Sequence, residues 1–91
     1  MMSMERAQIV RSLAGHDKGD LFCVMDTDGE FLLLADGKHR KVESPKRKRV
    51  KHVAPVGECR HPTIEKLRSG KPVGNQELRR ALAALRDQME V

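Results

Sequence analysis

Apolar residues in the first part of this chain fall into short runs separated by charged residues and glycine, a pattern typical of β-strands. Predicted strands cover residues 7–13, 21–25, 31–35, 40–44 and 50–56. Asp-Gly pairs at 28–29 and 36–37 predict tight turns. Five short strands with tight turns favour a mainly β domain, built as a small and strongly bent antiparallel barrel.

The predicted strands 21–25 and 31–35 are apolar at consecutive positions, whereas a strand with one exposed face would alternate. Both of their faces are therefore expected to be covered. The segment "PKRKR" at 45–49 combines a proline with four basic residues. We expect it to lie in a loop outside the sheet.

The last third of the chain predicts two α-helices that supply this cover. Thr63 is placed to cap a short helix that stops at Gly70, and Asn75 is placed to cap a longer helix over 76–90. The longer helix carries an apolar stripe at helical spacing, formed by Leu78, Leu82, Leu85 and Met89. About two heptads are too short for a convincing dimeric coiled coil, so packing on the barrel and a monomer are favoured.

These elements divide the chain into a disordered N-terminus at 1–6, a barrel at 7–55 and a helical extension at 56–91 that packs on the barrel. The longest apolar run, "FLLLA", is far below the ~20 residues of a membrane-spanning helix, and "MMSMERAQ" lacks the apolar core of a signal peptide. Cys23 and Cys59 have no framework spacing, so we expect reduced thiols in a cytoplasmic protein.

The positive charge is concentrated in the middle of the chain. The whole sequence has a net charge of +5, whereas residues 38–52 contain eight Lys and Arg and one acid, Glu43, which gives +7. Residues 1–37 contain seven acids and three bases. Crowded cations repel one another, and a polyanion would relieve this by neutralisation and counterion release. Residues 38–52 are therefore predicted to be a basic loop that contacts nucleic acid, with an acidic protein surface or plain solvation as alternatives.

Base stacking has little support in the composition. Trp and Tyr are absent, and the two phenylalanines, Phe22 and Phe31, lie in apolar runs and are expected in the core. Single-strand readers usually expose two or three aromatic residues to stack bases. Recognition is therefore expected to depend on phosphates and on folded RNA shape, with arginines best suited to stack on bases at 40, 47 and 49.

The loop Gly15–Gly19 permits two interpretations. Its glycines allow positive φ in a tight strand connection without any ligand, while Lys18 and His16 at its tip are placed to touch phosphate. The predicted RNA contacts are Lys18, Lys38, His39, Arg40, Lys41, Lys46, Arg47, Lys48, Arg49, Lys51 and His52. The residues predicted to shape loops are Gly15, Asp17, Gly19 and Gly37.

No residue pattern in the sequence indicates a catalytic or metal site. The sequence contains Cys59-x-His61 but no Cys-x-x-Cys or His-x₃-His pair, so no metal or other cofactor is expected. Cys23 lies within a predicted strand and is expected to be a small core residue. The aspartates fall at turns, where side-chain hydrogen bonds to the backbone explain them. We expect no enzymatic activity.

Residues 7–55 resemble the KOW motif family. The resemblance consists of an apolar strand, the loop Gly15-x-Asp17-Lys18-Gly19, a second apolar strand, the "DGK" corner and the basic run. The segment from "FLLLADGKHRKV" through the basic run is similar to bacterial KOW proteins related to the large-subunit ribosomal proteins fourteen-e, six-e and twenty-seven-e. The resemblance implies an SH3-like barrel that binds RNA or ribosomal surfaces. KOW modules also bind proteins, which leaves the partner class open.

The combined expectation is a non-catalytic RNA-binding accessory protein that binds structured ribosomal RNA. The alternative is an interaction module that docks onto a protein of transcription or translation. A double-stranded DNA binder is disfavoured because acids interrupt the arginines of the C-terminal helix. The helical tail is expected to support the barrel and not to contact RNA.

Overall fold

One antiparallel sheet of five strands, followed by two helices, makes up the computed structural model, which describes residues 5–57 and 59–89. The mainly β class with about five strands and two C-terminal helices is thereby confirmed. The elements in chain order are β1 (Ile9–Ser12), β2 (Leu21–Asp28), β3 (Phe31–Ala35), β4 (Lys46–Arg49), a 3₁₀ turn (Val50–His52), β5 (Val53–Pro55), α1 (Pro62–Arg68) and α2 (Asn75–Met89).

The sheet is strongly bent, as its strand order and connections require. The order is β4-β3-β2-β1-β5, so β4 and β5 form the two edges. A flat sheet would place these edges about 19 Å apart, at ~4.8 Å per strand spacing. Yet only the 3₁₀ turn Val50–His52 joins them. Four residue steps span at most about 14 Å, and less in a 3₁₀ turn, so the edges must curve toward each other into a partly open barrel.

Alternate residues of the strands form two apolar clusters on opposite faces of the sheet. The inner cluster contains Val10, Phe22, Val24, Leu32, Leu34 and Val53. The outer cluster joins sheet residues Ile9, Leu21, Cys23 and Ala35 to helix residues Ile64, Leu67, Leu78, Ala81, Leu82 and Leu85. The prediction that strand 21–25 is covered on both faces is confirmed, because its first four residues are all buried. The helices provide the outer cover.

The predicted stripe of α2 is correct for its three leucines and wrong for its last member. Leu78, Leu82 and Leu85 are at most 2% exposed, whereas Met89 is 37% exposed. The outer cluster ends at Leu85, so the last turn of the helix extends past the apolar surface of the sheet.

Both predicted helix caps are replaced by other interactions. The first turn of α1 begins one residue after His61, whose Nδ1 accepts a hydrogen bond from the Thr63 backbone N–H at 3.2 Å, and Pro62 occupies the first helical position. The end at Gly70 is as predicted: its φ is +81°, and the Lys71 N–H bonds the Lys66 carbonyl in a Schellman motif. The predicted cap Asn75 instead uses its side chain to hold another segment, described below.

The prediction of a fourth strand at 40–44, with "PKRKR" outside the sheet, was wrong. Residues 40–44 form turns, and Lys46–Arg49 is the edge strand β4, paired with β3 from Phe31↔Arg49 to Leu34↔Lys46. Pro45 precedes the strand and costs it no hydrogen bond. Basic residues are common on edge strands because they discourage pairing with other chains. Acidic residues on both faces of the strand reduce the repulsion between its four positive charges.

The hairpin between β2 and β3 is also longer than predicted. β2 continues to Asp28, with a bulge between Val24 and Asp26, and a two-residue loop with Gly29 at φ +62° returns the chain. The Asp-Gly turn signal is thereby confirmed. Of the predicted disordered N-terminus 1–6, residues 1–4 lie outside the described residues, and Glu5 starts a turn closed by a hydrogen bond from Gln8.

Candidate nucleic-acid interface

The inner side of β4 forms a buried ionic cluster with the loop that follows β1. The Lys48 ammonium donates to Asp17 Oδ1 at 2.6 Å, to Ser12 Oγ at 2.5 Å and to the Ala14 carbonyl at 2.7 Å. Its three donors are therefore all used. Lys46 donates to the other Asp17 oxygen at 2.5 Å. The side chains of Lys48 and Asp17 are 8% and 13% exposed. This cluster connects the edge strand β4 to the loop at the end of β1.

Asp17 stays ionised within this cluster. Burial raises the pKa of its carboxyl, but the hydrogen bonds from Lys46, Lys48 and Ser12 lower it by more, so the pKa lies well below its ordinary value of 3.8. A buried ammonium without this carboxylate would be strongly unfavourable. Lys46 and Lys48, both predicted RNA contacts, are thus engaged inside the protein.

The other two residues of β4, Arg47 and Arg49, lie on its outer side over the ring of Phe31. Arg47 lies with its guanidinium carbon 3.9 Å from the ring centroid, and Arg49 lies at 5.2 Å. Each also has an acidic neighbour, at 3.7 Å for Arg47 and Asp28 and 3.9 Å for Arg49 and Glu30. Both arginines remain about half exposed.

The expectation that Phe31 belongs to the core was wrong, whereas Phe22 is 2% exposed as predicted. The register of β3 explains the difference. Leu32 and Leu34 point into the barrel, so Phe31 and Leu33 point outward, beyond the part of the sheet that the helices cover. Arginines from the neighbouring strand shield the ring in their place.

Every residue of the run 46–49 thus has a carboxylate within 4.0 Å. The three acids, Asp17, Asp28 and Glu30, all come from the acidic N-terminal part of the chain. The separation of charge along the sequence is therefore largely removed in the folded molecule. The internal acids relieve the self-repulsion that first suggested a polyanion for this run.

Lys38, Arg40 and Lys41 of the basic segment lie on the turns between β3 and β4, which we call the corner, residues 36–44. Asp36 Oδ1 accepts backbone N–H groups of Lys38 at 2.9 Å and Arg40 at 2.8 Å, so the turn has a fixed shape. His39 Nδ1 lies 3.5 Å from the other oxygen of Asp36. Lys38, Arg40 and Lys41 are exposed, and no carboxylate of the described residues lies within 4.0 Å of their charged groups.

Helix α2 holds the corner in place. Asn75 Oδ1 accepts the Val42 N–H at 2.8 Å, and its Nδ2 donates to Glu43 Oε1 at 2.5 Å. Gly37 has φ +80°, and a Cβ built there would lie 2.2 Å from the Asn75 carbonyl oxygen. Only glycine fits this contact. The corner thus presents its cations from a rigid base.

The other predicted contacts lie apart from the corner. Lys18 is exposed on the tight loop Gly15–Gly19, whose two terminal glycines have φ +88° and +92°, as the structural interpretation of this loop predicted. Lys51 is exposed in the 3₁₀ turn, and His52 is half-buried, with its carbonyl accepting the Leu13 N–H. The structure therefore separates the predicted contacts into the inner cluster, the outer face of β4, the corner and these single positions.

Two polar residues that organise the site were missed in the sequence. Ser12 is 1% exposed and joins the Asp17 cluster, and Asn75 bonds the corner. A serine within the apolar run "IVRS" was the available signal for the first. Nothing local distinguished a corner-binding Asn75 from a helix cap, since both explain an asparagine at a helix start.

Both cysteines are free thiols whose pKa is raised above its ordinary value. Cys23 is fully buried, and burial raises the pKa of its thiol to about 12. Burial also raises the pKa of the half-buried Cys59. Within residues 5–57 and 59–89, no three His, Cys, Asp or Glu side chains are grouped so as to hold a metal ion. Among the same residues, no helix has the length and apolarity needed to cross a membrane.

No protein-family model matches the chain, and a search among curated proteins gives no match. The resemblance to the KOW family stays a prediction that depends on the residues quoted for it.

Proposed function

We propose that this protein is a non-catalytic, cytoplasmic RNA-binding protein that contacts the phosphates of folded RNA, ribosomal RNA in particular, through its corner. The observation that supports this most strongly is the separation of the basic residues. The four cations of β4 have acidic partners, whereas Lys38, Arg40 and Lys41 are exposed on a rigid turn with no such partner in the described chain.

The chemistry of such a contact is electrostatic. Each Lys or Arg that neutralises a phosphate releases counterions, so affinity falls steeply with salt. A rigid corner adds little ordering cost on binding, because Asp36, Gly37 and Asn75 already hold its backbone. With its aromatic rings buried or covered by arginine, the protein has little means to read single-stranded bases. Folded RNA is the better match.

The test uses a hairpin with a stem of about 16 base pairs and a single strand of the same composition. The wild type should prefer the hairpin. Replacing Lys38, Arg40 and Lys41 with Gln should weaken hairpin binding and reduce the log–log salt slope by about 2–3, at ~0.7–0.9 per phosphate contact.

The matched control replaces Arg11, Lys71 and Arg80 with Gln, three exposed cations outside the corner. This variant loses the same charge and should retain most of the slope. An equal loss in both variants would show that net charge alone drives binding. Lack of hairpin binding by the wild type would reject the proposed function.

A second candidate, protein docking, is favoured by one observation on the outer face of β3. Phe31 and Leu33 are only half-buried there, between Arg47, Arg49 and the acids of the β2–β3 hairpin. Apolar residues among mixed charges suit a protein surface better than a polyanion. The test is cosedimentation with ribosomal particles. If Leu33→Glu no longer cosediments while the variant with Gln at Lys38, Arg40 and Lys41 still does, the docking function is preferred.

A further inference from the structure

Helix α2 faces the corner across a groove of about 400 Å³. The corner contributes Lys38 and His39, the helix contributes Arg79 and Arg86, and the apolar floor includes Leu21 and Leu82. The two arginines are seven residues apart, which places them about two turns or ~10 Å along the same side of the helix. Arg80, the neighbouring residue, is exposed but does not line the groove.

The two groove arginines differ from the paired cations of the helical layer. Lys66 lies 2.6 Å from Glu77, and Arg68 lies 2.8 Å from Glu65. Among the residues that the structure describes, neither Arg79 nor Arg86 has a carboxylate within 4.0 Å. Both arginines lie beside the packed face of α2, because Leu82 of that face also lines the groove.

Two aspartates also line the groove and limit its positive charge. Asp36 is occupied by the backbone N–H groups of the corner and by His39. Asp20 is exposed, with no hydrogen bond to its carboxylate among the described residues. The groove therefore contains three full positive charges and two carboxylates, of which only that of Asp20 accepts no hydrogen bond from the described residues.

We infer that this groove is a second phosphate-backbone contact, through which Arg79 and Arg86 bind the same folded RNA as the corner. The inference rests on the proposed function and revises the expectation that the tail only supports the barrel. Lys38 belongs to both surfaces and makes them continuous. An RNA backbone that crosses the corner would enter the groove and meet the two arginines at different phosphates.

The test measures binding of the full chain to the same RNA hairpin. Arg79→Gln/Arg86→Gln should weaken binding about tenfold at moderate salt and reduce the salt slope by about 1.5. The matched control Arg80→Gln/Lys71→Gln loses the same charge outside the groove and should change affinity less than about threefold. The melting temperature should stay within a few degrees in both, since all four side chains are exposed.

The substitution Asp20→Asn should change the RNA affinity in the opposite direction. A gain in affinity cannot be explained by damage to the fold. Removing this carboxylate should tighten hairpin binding by roughly twofold to fivefold, because one like charge beside the phosphates is lost. Unchanged or weaker binding by Asp20→Asn would overturn the groove assignment. Equal weakening of hairpin binding by the groove variant and its control would also overturn the groove assignment. If the corner variant still abolishes binding in that case, the proposed function survives. A wild type that does not bind the hairpin overturns both.

Discussion

Asp17 shows how a single residue can determine what its neighbours do. It accepts hydrogen bonds from two lysines and a serine, and its carboxylate lets the ammonium of Lys48 be buried next to β1. In the sequence, Asp17 is one of many turn aspartates, and Lys48 is one of four basic residues in a row. The pair connects positions 31 residues apart. The burial of Lys48 therefore depends on one distant carboxylate.

Replacing Asp17 with Asn should destabilise the fold by about 2–4 kcal/mol, because the buried Lys48 charge loses its partner. The control is Asp28→Asn, which removes an exposed ion pair of 3.7 Å and should change the free energy of unfolding by less than about 1 kcal/mol. Urea unfolding of both variants measures the difference. Equal effects would contradict the structural role of the cluster.

The stability difference between wild type and Asp17→Asn should depend on pH. The pKa of Asp17 is lower in the folded than in the unfolded chain, so its contribution is fully present above the unfolded pKa and is lost as pH falls through the folded value. The stability gap between wild type and Asp17→Asn should therefore be constant near neutral pH and shrink below about pH 4. A gap that stays constant down to pH 2 would show that the aspartate contributes by shape alone.

At the scale of elements, α2 both covers the outer face of the sheet and fixes the corner. Its leucines pack in the outer cluster, while Asn75 at its start bonds Val42 and Glu43. Gly37 of the corner lies directly against the backbone of Asn75 at the start of the helix. The packing of the helix and the position of the corner therefore depend on the same contact. Damage to this contact should affect stability and RNA binding together.

Gly37→Ala is expected to cost about 3 kcal/mol or more, since it adds a clash with Asn75 to the strain of a positive φ. Gly29→Ala is the matched control: its φ is +62°, but an added Cβ meets nothing within 4 Å. That variant should lose only about 1–2 kcal/mol. Thermal unfolding compares the two. A similar loss in both would mean that the helix does not press against the corner.

At the scale of the whole molecule, the sequence predicted what depends on local pattern. Consecutive apolar residues at 21–25 indicated a strand covered on both faces, and the leucine repeat of α2 indicated the cover. The same prediction for 31–35 holds only in part, because Phe31 and Leu33 on its outer face are half-buried. The path of the basic run could not be predicted. Its strand becomes favourable only because Asp17, Asp28 and Glu30 lie beside it after folding, and no local signal reveals such distant partners.

The structure divides the predicted site residues into groups that the sequence does not separate. Counting charge along the chain treated residues 38–52 as one loop, whereas the fold pairs the cations of 46–49 and leaves those of 38–41 exposed. Arg79 and Arg86 were assigned to a supporting helix, because their proximity to Lys38 depends on how α2 docks. Charge along a sequence therefore overstates what a folded surface presents.

The most direct test of this division compares the salt dependence of hairpin binding for two variants that each lose two charges, Lys38→Gln/Lys41→Gln at the corner and Arg47→Gln/Arg49→Gln on β4. The corner variant should reduce the log–log slope by about 1.4–1.8, at ~0.7–0.9 per phosphate contact, while the β4 variant should leave it nearly unchanged. A slope lowered by the β4 variant and retained by the corner variant would contradict RNA binding at the corner, and would place the RNA on the arginines that cover Phe31.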